Sequence, residues 1–357
     1  MPRLPPSLFW RACRISPGTA LLLPVCRDLP SALTELRWIQ QHVRETAERK
    51  GQSSWERKRS VLALCQRRGR GEPLQYVLGT QPFGPLDLLC RKGVFIPRPE
   101  PEAYTLHLAN LLLQESQQAS LVQPGHPITI LDACTGTGCI ALLLYAQLWR
   151  QKEAVERGAL HIVGLDMAPE AVKLARANAV RNALPMQTDG TETSSSIRFV
   201  QGDLFSDDWL DHDAIKHLLR SPLDVLVSNP PYISAKGFAD DTARSVRLFE
   251  PKLAQVPQPT EHRIGNGAAE DVFYVRLLEL ASRLGARIVL CETGGLEQAK
   301  RVAALALDQT PILDLEIWAD QPDIVDVDCP DRWVTVAGHQ VRIKGSGHGR
   351  SVFIRRQ

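Results

Sequence analysis

The sequence predicts an α/β protein in which a small helical domain precedes a doubly wound parallel sheet. Three observations support this fold class. The chain has 357 residues, 44% of them hydrophobic, which exceeds one ordinary domain of roughly 100–200 residues. Residues 31–68 carry only a helical pattern of apolar side chains. Beyond residue 128, short apolar runs alternate with helical stretches, which is the order of strands and crossover helices in a parallel sheet.

The first 15 residues are basic and lack acidic side chains, and Leu8, Ala12 and Ile15 can share one face of a helix. These features are typical of a mitochondrial presequence, so we expect residues 1–27 to direct the protein to the mitochondrial matrix. The alternative is a frayed N-terminus of a cytoplasmic protein, because three prolines among the first six residues weaken a helix.

Residues 28–74 are predicted to form a helical substrate-recognition domain. The first helix follows from apolar residues at steps of three and four, namely Leu36, Ile39, Val43 and Ala47. Ser53 and Glu56 form a capping box for the second helix, which Gly69 ends. Since this core pattern begins near Ser31, the preceding residues are expected to have no apolar partner. Glycines and prolines in residues 75–100 predict a hairpin connector before a catalytic domain at residues 101–357.

Seven strands are predicted in the catalytic domain, at Ile128–Asp132, His161–Asp166, Ile197–Gln201, Leu223–Ser228, Ala286–Glu292, Ile312–Ala319 and Ser351–Arg355. The intervening helices are predicted at Cys139–Trp149, Pro169–Asn182, Asp271–Leu284 and Leu296–Asp308. Two polar segments, 187–196 and 320–331, are predicted to be solvated surface loops.

Composition narrows the classes of partner. No apolar run approaches the roughly 18 residues that span a bilayer. The eight cysteines include no Cys-x-x-Cys pair and no Cys/His cluster at zinc-ligand spacing, so we expect no metal site and a reducing compartment. Without the four arginines that precede Asp28, the chain has 38 basic and 40 acidic residues, which argues against direct binding of nucleic acid. We expect a monomer that does not bind membranes.

A glycine turn joins the first predicted strand to an apolar helix. Its residues are Cys134, Thr135, Gly136, Thr137 and Gly138. Glycines let a ligand approach the backbone, and the start of a helix offers unpaired N–H groups. The turn therefore predicts a nucleotide-like cofactor, and its spacing leaves both NAD and S-adenosylmethionine possible.

Two acidic residues at the ends of the following strands are candidates for holding such a cofactor. Asp166 can accept hydrogen bonds from ribose hydroxyls, and Asp203 can accept one from an adenine amino group while Leu204 packs on the ring. Asp203 could alternatively serve only to form the turn that follows its strand.

The tetrapeptide Asn229-Pro230-Pro231-Tyr232 follows the fourth predicted strand, at the edge of the sheet where open α/β folds bind ligands. Two prolines leave no amide hydrogens at their positions, so the carbonyls can face a substrate. The Asn229 side chain and the Pro230 carbonyl can accept both hydrogens of a planar –NH2 group, on which Tyr232 can stack. Such a loop can aim the nitrogen at a methyl group on a neighbouring sulfonium, a displacement that depends on alignment and exclusion of water.

These motifs resemble a known family. Residues 131–138, 164–166 and 229–232 are similar to class I S-adenosylmethionine-dependent methyltransferases that modify planar amino nitrogens, on either nucleic-acid adenines or protein glutamines. Residues 75–79, 95–100 and 246–251 resemble the HemK/PrmC family, which methylates the glutamine of the Gly-Gly-Gln motif in peptide-chain release factors. The family's pattern usually has Thr where this chain has Pro101, and often Leu-Gly at Ala133-Cys134.

The resemblance implies a Rossmann-like, seven-stranded catalytic domain with S-adenosylmethionine as cofactor and a release factor as protein substrate. It further implies that residues 134–138, Asp166, Asp203, Leu204 and Asn229 contact the cofactor. Residues 229–232 would hold the glutamine, with Asn229, Pro230 and Tyr232 as the catalytic residues. The alternatives are a nucleic-acid adenine N6-methyltransferase and a non-catalytic protein that binds S-adenosylmethionine. The role of Arg98 stays open between shaping the substrate entrance and a surface charge.

Overall fold

The computed structural model describes residues 3–50, 53–117, 127–150, 159–186, 195–220, 222–258, 268–309, 311–325 and 332–357. The chain divides into two compact units. The helical unit comprises Met1–Thr80, Cys90–Lys92 and Thr242–Glu250, and the sheet unit comprises Gln81–Leu89, Gly93–Asp241 and Pro251–Gln357. In the part of the chain that the structure describes, no helix is both long and apolar enough to span a bilayer.

The helical unit contains α1 (Pro6–Ile15), α2 (Pro17–Cys26), α3 (Leu29–Lys50), α4 (Ser54–Gly69) and α5 (Leu74–Leu78). The predicted capping box of α4 is confirmed: the Ser53 backbone N–H donates to the Glu56 carboxylate at 2.7 Å, and the Glu56 N–H donates to Ser53 Oγ at 3.3 Å. The predicted apolar face of α3 is buried, and it includes Leu36, Ile39, Val43 and Ala47.

The core of this unit begins before Ser31, so the expectation that the preceding residues lack an apolar partner is wrong. Leu22 on α2 is fully buried in a cluster with residues of α3 and α4, and Ala12 on α1 packs with Leu23 and Leu29. Pro6 and Pro17 do not prevent these helices, because they occupy the first turns of α1 and α2. Ser16 Oγ also caps α2 by accepting the Thr19 N–H at 3.1 Å, although Pro24 lies inside this helix.

The predicted hairpin is present as β1 (Thr80–Phe83) and β2 (Leu86–Leu89). The main sheet has the strand order β5-β4-β3-β6-β7-β11-β8-β10-β9. Its strands are β3 (Ile128–Ala133), β4 (Leu160–Asp166), β5 (Ser196–Gln201), β6 (Val225–Ser228), β7 (Ile288–Glu292), β8 (Ile312–Gln321), β9 (Arg332–Val336), β10 (His339–Lys344) and β11 (Ser346–Arg356).

All seven predicted strands are therefore confirmed, but the predicted number is wrong, since the described residues form nine strands in this sheet. The additional strands β9 and β10 lie at one edge of the sheet. Many of their side chains are exposed, so these strands lack the continuous apolar run from which the other strands were predicted. The sheet is also not wholly parallel, because β11 runs antiparallel to both β7 and β8. Of the predicted surface loops 187–196 and 320–331, residues 187–194 and 326–331 lie outside the described residues. The prediction is wrong at their described ends, since Ser196 is buried and begins β5, and β8 continues to Gln321.

The remaining helices are α6 (Pro99–Gln117), α7 (Cys139–Arg150), α8 (Pro169–Arg181), α9 (Asp213–Leu218), α10 (Ala235–Asp240), α11 (Arg244–Phe249), α12 (Val272–Arg283) and α13 (Leu296–Gln309). The four predicted helices of the catalytic domain are confirmed, and α6 is one that the sequence pattern did not predict. Two buried apolar clusters, one on each face, complete the doubly wound arrangement: Ile130 packs with α6 and α7, and Leu131 packs with α12.

The strand register brings the functional loops together. Ala133 at the end of β3 pairs with Leu165 of β4 on one side and with Ser228 of β6 on the other. Asp166 pairs with Gln201 of β5. The loops that follow these four strands therefore leave the sheet at one edge, on both sides of the switch point at β3.

Candidate functional site

A cavity of about 460 Å³ lies at this edge, entirely within the sheet unit. Its volume falls in the range of pockets for small ligands and cofactors, ~300–1,000 Å³. Of the predicted site residues, those that line it are Cys134, Thr135, Gly136, Thr137, Asp166, Asp203, Leu204, Asn229, Pro230, Pro231 and Tyr232. The fold thus brings together side chains that are nearly 100 residues apart in the sequence.

The two glycines of the turn after β3 have different surroundings. Both have positive φ angles, 56° at Gly136 and 79° at Gly138. A Cβ on Gly136 would meet nothing within 4 Å, whereas a Cβ on Gly138 would lie 3.0 Å from Ala175 Cβ and 3.1 Å from the Phe199 ring. Gly138 is also not among the lining residues. Gly138 therefore permits close packing of helix on sheet, and its contact with a cofactor stays a prediction.

Asp166 holds the glycine turn and also faces the cavity. Its Oδ2 accepts the Gly136 N–H at 2.8 Å, and its Oδ1 accepts the Ala168 N–H at 2.9 Å. Burial raises the pKa of this carboxyl, while the two N–H groups oppose that shift. Each carboxylate oxygen can accept a further hydrogen bond, so both roles are compatible.

Asp132, near the end of β3, is a functional candidate that the sequence interpretation missed. Its Oδ2 accepts hydrogen bonds from the Thr135 hydroxyl at 2.6 Å and from the Ala141 N–H at 3.2 Å. Its Oδ1 is buried without a hydrogen-bond partner among the described residues, and burial raises the pKa of the carboxyl to about 7. An acidic residue near the end of a buried strand, just before a glycine turn, was the available signal.

Asp203 and Leu204 follow β5. Asp203 Oδ1 accepts the Phe205 N–H at 3.0 Å, so this side chain does form the turn that the alternative interpretation expected. Both residues nevertheless line the cavity, and Leu204 is buried. Turn formation and contact with a ligand are therefore compatible here.

The Asn-Pro-Pro-Tyr loop is anchored at both of its ends. Before it, Ser228 Oγ donates to the Ala133 carbonyl at 2.8 Å, which ties β6 to β3. After it, the Ile233 N–H donates to the Gln255 carbonyl at 2.8 Å. The Tyr232 hydroxyl donates to Glu292 Oε1 at 3.0 Å. These hydrogen bonds hold the loop backbone in place, and its side chains reach the cavity from there.

Further lining residues come from segments 93–101 and 251–255, which the sequence analysis did not assign to the site individually. The Arg98 guanidinium stacks over the Phe95 ring at 4.5 Å. Among the described residues that line the cavity, Arg98 is the only basic one, and the acidic ones are Asp166, Glu170 and Asp203. This excess of carboxylates suits a ligand with positive charge, and Arg98 can pair with an anionic group on the same ligand.

Comparisons with known proteins agree with this chemistry. Residues 110–299 match the family model described as N-6 DNA Methylase. The chain is 34% identical over 258 residues to the mitochondrial MRF1 N(5)-glutamine methyltransferase of Saccharomyces cerevisiae, covering 72% of this chain and 68% of that one. It is 32% identical to the probable mitochondrial counterpart in Schizosaccharomyces pombe, covering 85% and 89%. The release factor glutamine methyltransferase of Haemophilus influenzae is 32% identical, with coverage of 69% and 71%.

Among solved structures, the human methyltransferase 10 domain containing protein aligns with 77% of this chain and 90% of its own, at a TM-score of 0.41 and 14% identity. That likeness is too low to carry an argument. The strand order and register of the sheet show the doubly wound α/β arrangement that the sequence predicts.

Proposed function

This chain belongs to the family of release factor glutamine methyltransferases, and we propose that its cavity holds the donor and acceptor of the methyl group side by side. The protein is an S-adenosylmethionine-dependent enzyme that methylates the side-chain amide nitrogen of a glutamine in a release factor. The observation that best supports the arrangement within the site is the convergence of the glycine turn and the Asn-Pro-Pro-Tyr loop on one cavity.

The residues present fit S-adenosylmethionine. The cofactor carries a sulfonium and an ammonium group, which the carboxylates along the cavity suit, and one carboxylate, which suits Arg98. Asp132 does not line the cavity, and it would act indirectly by holding the glycine turn through Thr135 and Ala141. Asp166 would accept from the ribose hydroxyls, and Asp203 from the adenine amino group. When bound, the cofactor supplies the electrophilic methyl group.

The chain itself binds and orients the target amide. An amide nitrogen is a weak nucleophile, because its lone pair is conjugated with the carbonyl. Acceptors at the Asn229 side chain and the Pro230 carbonyl would hold its two hydrogens and stabilise the positive charge that develops on it. Tyr232 would stack on the amide plane, and Pro231 would keep the loop rigid. These contributions are alignment and electrostatics, which require no covalent intermediate.

Asn229→Ala tests this assignment. It removes one acceptor for the target amide, so we expect single-turnover methylation to fall at least 100-fold, as for loss of one transition-state hydrogen bond. Equilibrium binding of S-adenosylmethionine should stay within about threefold. Methylation of the release factor at the wild-type rate would rule out the assigned role of the loop.

We further propose that the helical unit recognises the release factor, in keeping with the predicted substrate-recognition domain. This unit has 18 Lys and Arg residues against 7 Asp and Glu, whereas the sheet unit has 24 against 33. It also exposes three tryptophans, at Trp10, Trp38 and Trp55. Tryptophan and arginine are the residue types that contribute most at protein interfaces, and the positive charge would complement an acidic surface of the substrate.

A charge-reversal pair on α4 tests this recognition. Arg57→Glu with Lys58→Glu should raise the KM for the intact release factor at least tenfold and leave the affinity for S-adenosylmethionine unchanged. A short Gly-Gly-Gln peptide should be a much poorer substrate than the intact factor, and the substituted pair should leave its rate unchanged. Lys216→Glu, an exposed change on the sheet unit, is the matched control. Equal loss with peptide and protein would contradict a role in recognition.

Because a basic surface attracts nucleic acid, these assays should also offer DNA and RNA as competing methyl acceptors. With S-adenosylmethionine labelled in its methyl group, the adenine-methylating alternative predicts transfer of the labelled methyl group to DNA or RNA. The proposed function predicts transfer to the release factor alone. We also propose a mitochondrial matrix location, supported by the basic, acid-free first helix and by the mitochondrial yeast relatives. A reporter fused to residues 1–40 should enter mitochondria, and a cytosolic reporter would refute this location.

A further inference from the structure

Tyr232 is held at two points from behind the cavity. Its hydroxyl donates to Glu292 Oε1 at 3.0 Å, and its backbone carbonyl accepts a hydrogen bond from Gln298 Nε2 at 3.3 Å. A Cβ at Gly294 would lie only 3.3 Å from the Tyr232 ring, so the ring also packs closely against this part of the backbone. The hydroxyl contact and the packing at Gly294 thus determine where the ring points, while the carbonyl contact holds the backbone.

Glu292 is the last residue of β7 and is 3% exposed. The Tyr274 hydroxyl fixes its backbone by donating to its carbonyl at 2.8 Å. Its Oε2 is buried and lacks a hydrogen-bond partner within the described ranges, and it is not among the residues that line the cavity. Glu292 would therefore touch neither cofactor nor substrate.

Gln298 is itself immobilised. Its Oε1 accepts the Gly294 N–H at 2.8 Å, and its Nε2 also donates to Asp271 Oδ1 at 2.8 Å. Asp271 is in turn paired with Arg301 through two hydrogen bonds, at 2.5 and 2.9 Å. The backbone carbonyl of Tyr232 is therefore held by a polar network that joins α13 to Asp271 at the start of α12. The hydrogen bond of the hydroxyl is the polar contact that orients the side chain.

A buried carboxyl costs stability unless it is well paired, and an apolar residue at this position would avoid that cost. Burial raises the pKa of Glu292 to about 7, which expresses the same cost, while the hydrogen bond from the Tyr232 hydroxyl opposes the shift. Burial also raises the pKa of Tyr232 well above its usual value, so its hydroxyl remains a donor. The structure thus retains an unfavourable buried group at the position where it accepts the hydrogen bond of the Tyr232 hydroxyl.

We propose that Glu292 is a positioning residue that sets the orientation of the Tyr232 ring against the target amide. The inference rests on the proposed function, in which Tyr232 stacks on that amide. Without the acceptor, the ring can turn about its side-chain torsions while the backbone stays in place. Since a displacement of about 1 Å at a reacting group can lower a rate ~100-fold, the loss should appear in catalysis rather than in cofactor binding.

Three variants separate positioning from general destabilisation. Glu292→Leu removes the acceptor and should lower kcat on the intact release factor at least tenfold, with the affinity for S-adenosylmethionine within about twofold. Glu292→Gln keeps an oxygen that can accept the Tyr232 hydrogen, so its kcat should stay within about threefold of wild type. Glu297→Gln, an exposed change nearby on α13, is the matched control and should have no effect.

Tyr232→Phe tests the same contact from the other side and serves where Glu292→Leu does not fold. It should lower kcat to a similar extent, and combining it with Glu292→Leu should cause no further loss, because both remove one interaction. A wild-type kcat in Tyr232→Phe, equal losses in Glu292→Gln and Glu292→Leu, or multiplying losses in the double variant would overturn the inference. If the wild-type protein itself fails to methylate a release factor, the proposed function falls, and this inference with it.

Discussion

The two glycines of the turn after β3 permit a sharp test, because the same substitution should have different consequences at each. Gly136 and Gly138 both have positive φ, at 56° and 79°, so alanine is strained at both by about 1–2 kcal/mol. Only at Gly138 would the new methyl group also be crowded, at 3.0 Å from Ala175 and 3.1 Å from Phe199. Such overpacking adds about 1–3 kcal/mol.

We therefore expect Gly138→Ala to lower the free energy of unfolding by about 2–5 kcal/mol, and Gly136→Ala by about 1–2 kcal/mol. Urea denaturation of the cofactor-free protein measures both values. The order should reverse for binding of S-adenosylmethionine by calorimetry. A Cβ on Gly136 faces the cavity, so the dissociation constant should rise at least tenfold, whereas Gly138→Ala should change it by no more than a few-fold under conditions where it is folded.

Two results would refute this reasoning. If Gly136→Ala destabilises the protein as much as Gly138→Ala, a Cβ at Gly136 is as crowded as one at Gly138. If Gly136→Ala binds the cofactor normally, the cofactor does not approach this part of the turn, and the assignment of the cavity fails at its first residue.

Three further outcomes are expected. Asp166→Ala should raise the dissociation constant of S-adenosylmethionine roughly 10–100-fold by calorimetry, through lost charged hydrogen bonds, and unchanged binding would exclude this residue as a ligand. The folded pKa of Glu292 is about 7, above its unfolded value, so its contribution to the free energy of unfolding should fall as the pH rises from about 4 to 7, by at most about 3 kcal/mol. Glu292→Gln should lack this loss when urea unfolding is compared at pH 5 and pH 8. Equal pH dependence in the wild type and Glu292→Gln would show that Glu292 does not titrate in this range. Leu22→Ala should lower the stability of the helical unit by about 2–5 kcal/mol, and an unchanged unfolding midpoint would show that α2 is not part of its core.

Patterns within short stretches of sequence were sufficient for most of the architecture. The seven predicted strands and the capping box at Ser53 depend on side chains within a few residues of one another, so local periodicity and turn chemistry reveal them. The same holds for the site's central motifs. Each candidate follows a predicted strand, and the rule that parallel strands end at one edge was enough to bring Asp166 and Asn229 together.

Only the tertiary structure decided features that depend on partners distant in the sequence. The burial of Leu22 depends on α3 and α4, and the crowding at Gly138 depends on Ala175 and Phe199. The contact between Tyr232 and Glu292 joins residues 60 positions apart. No local pattern encodes these pairs, because burial and hydrogen bonding are properties of neighbours in space. The sequence by itself therefore determined the family, the fold class and the reactive motifs of this protein, whereas packing decided which glycine faces the cavity and which acid braces the tyrosine.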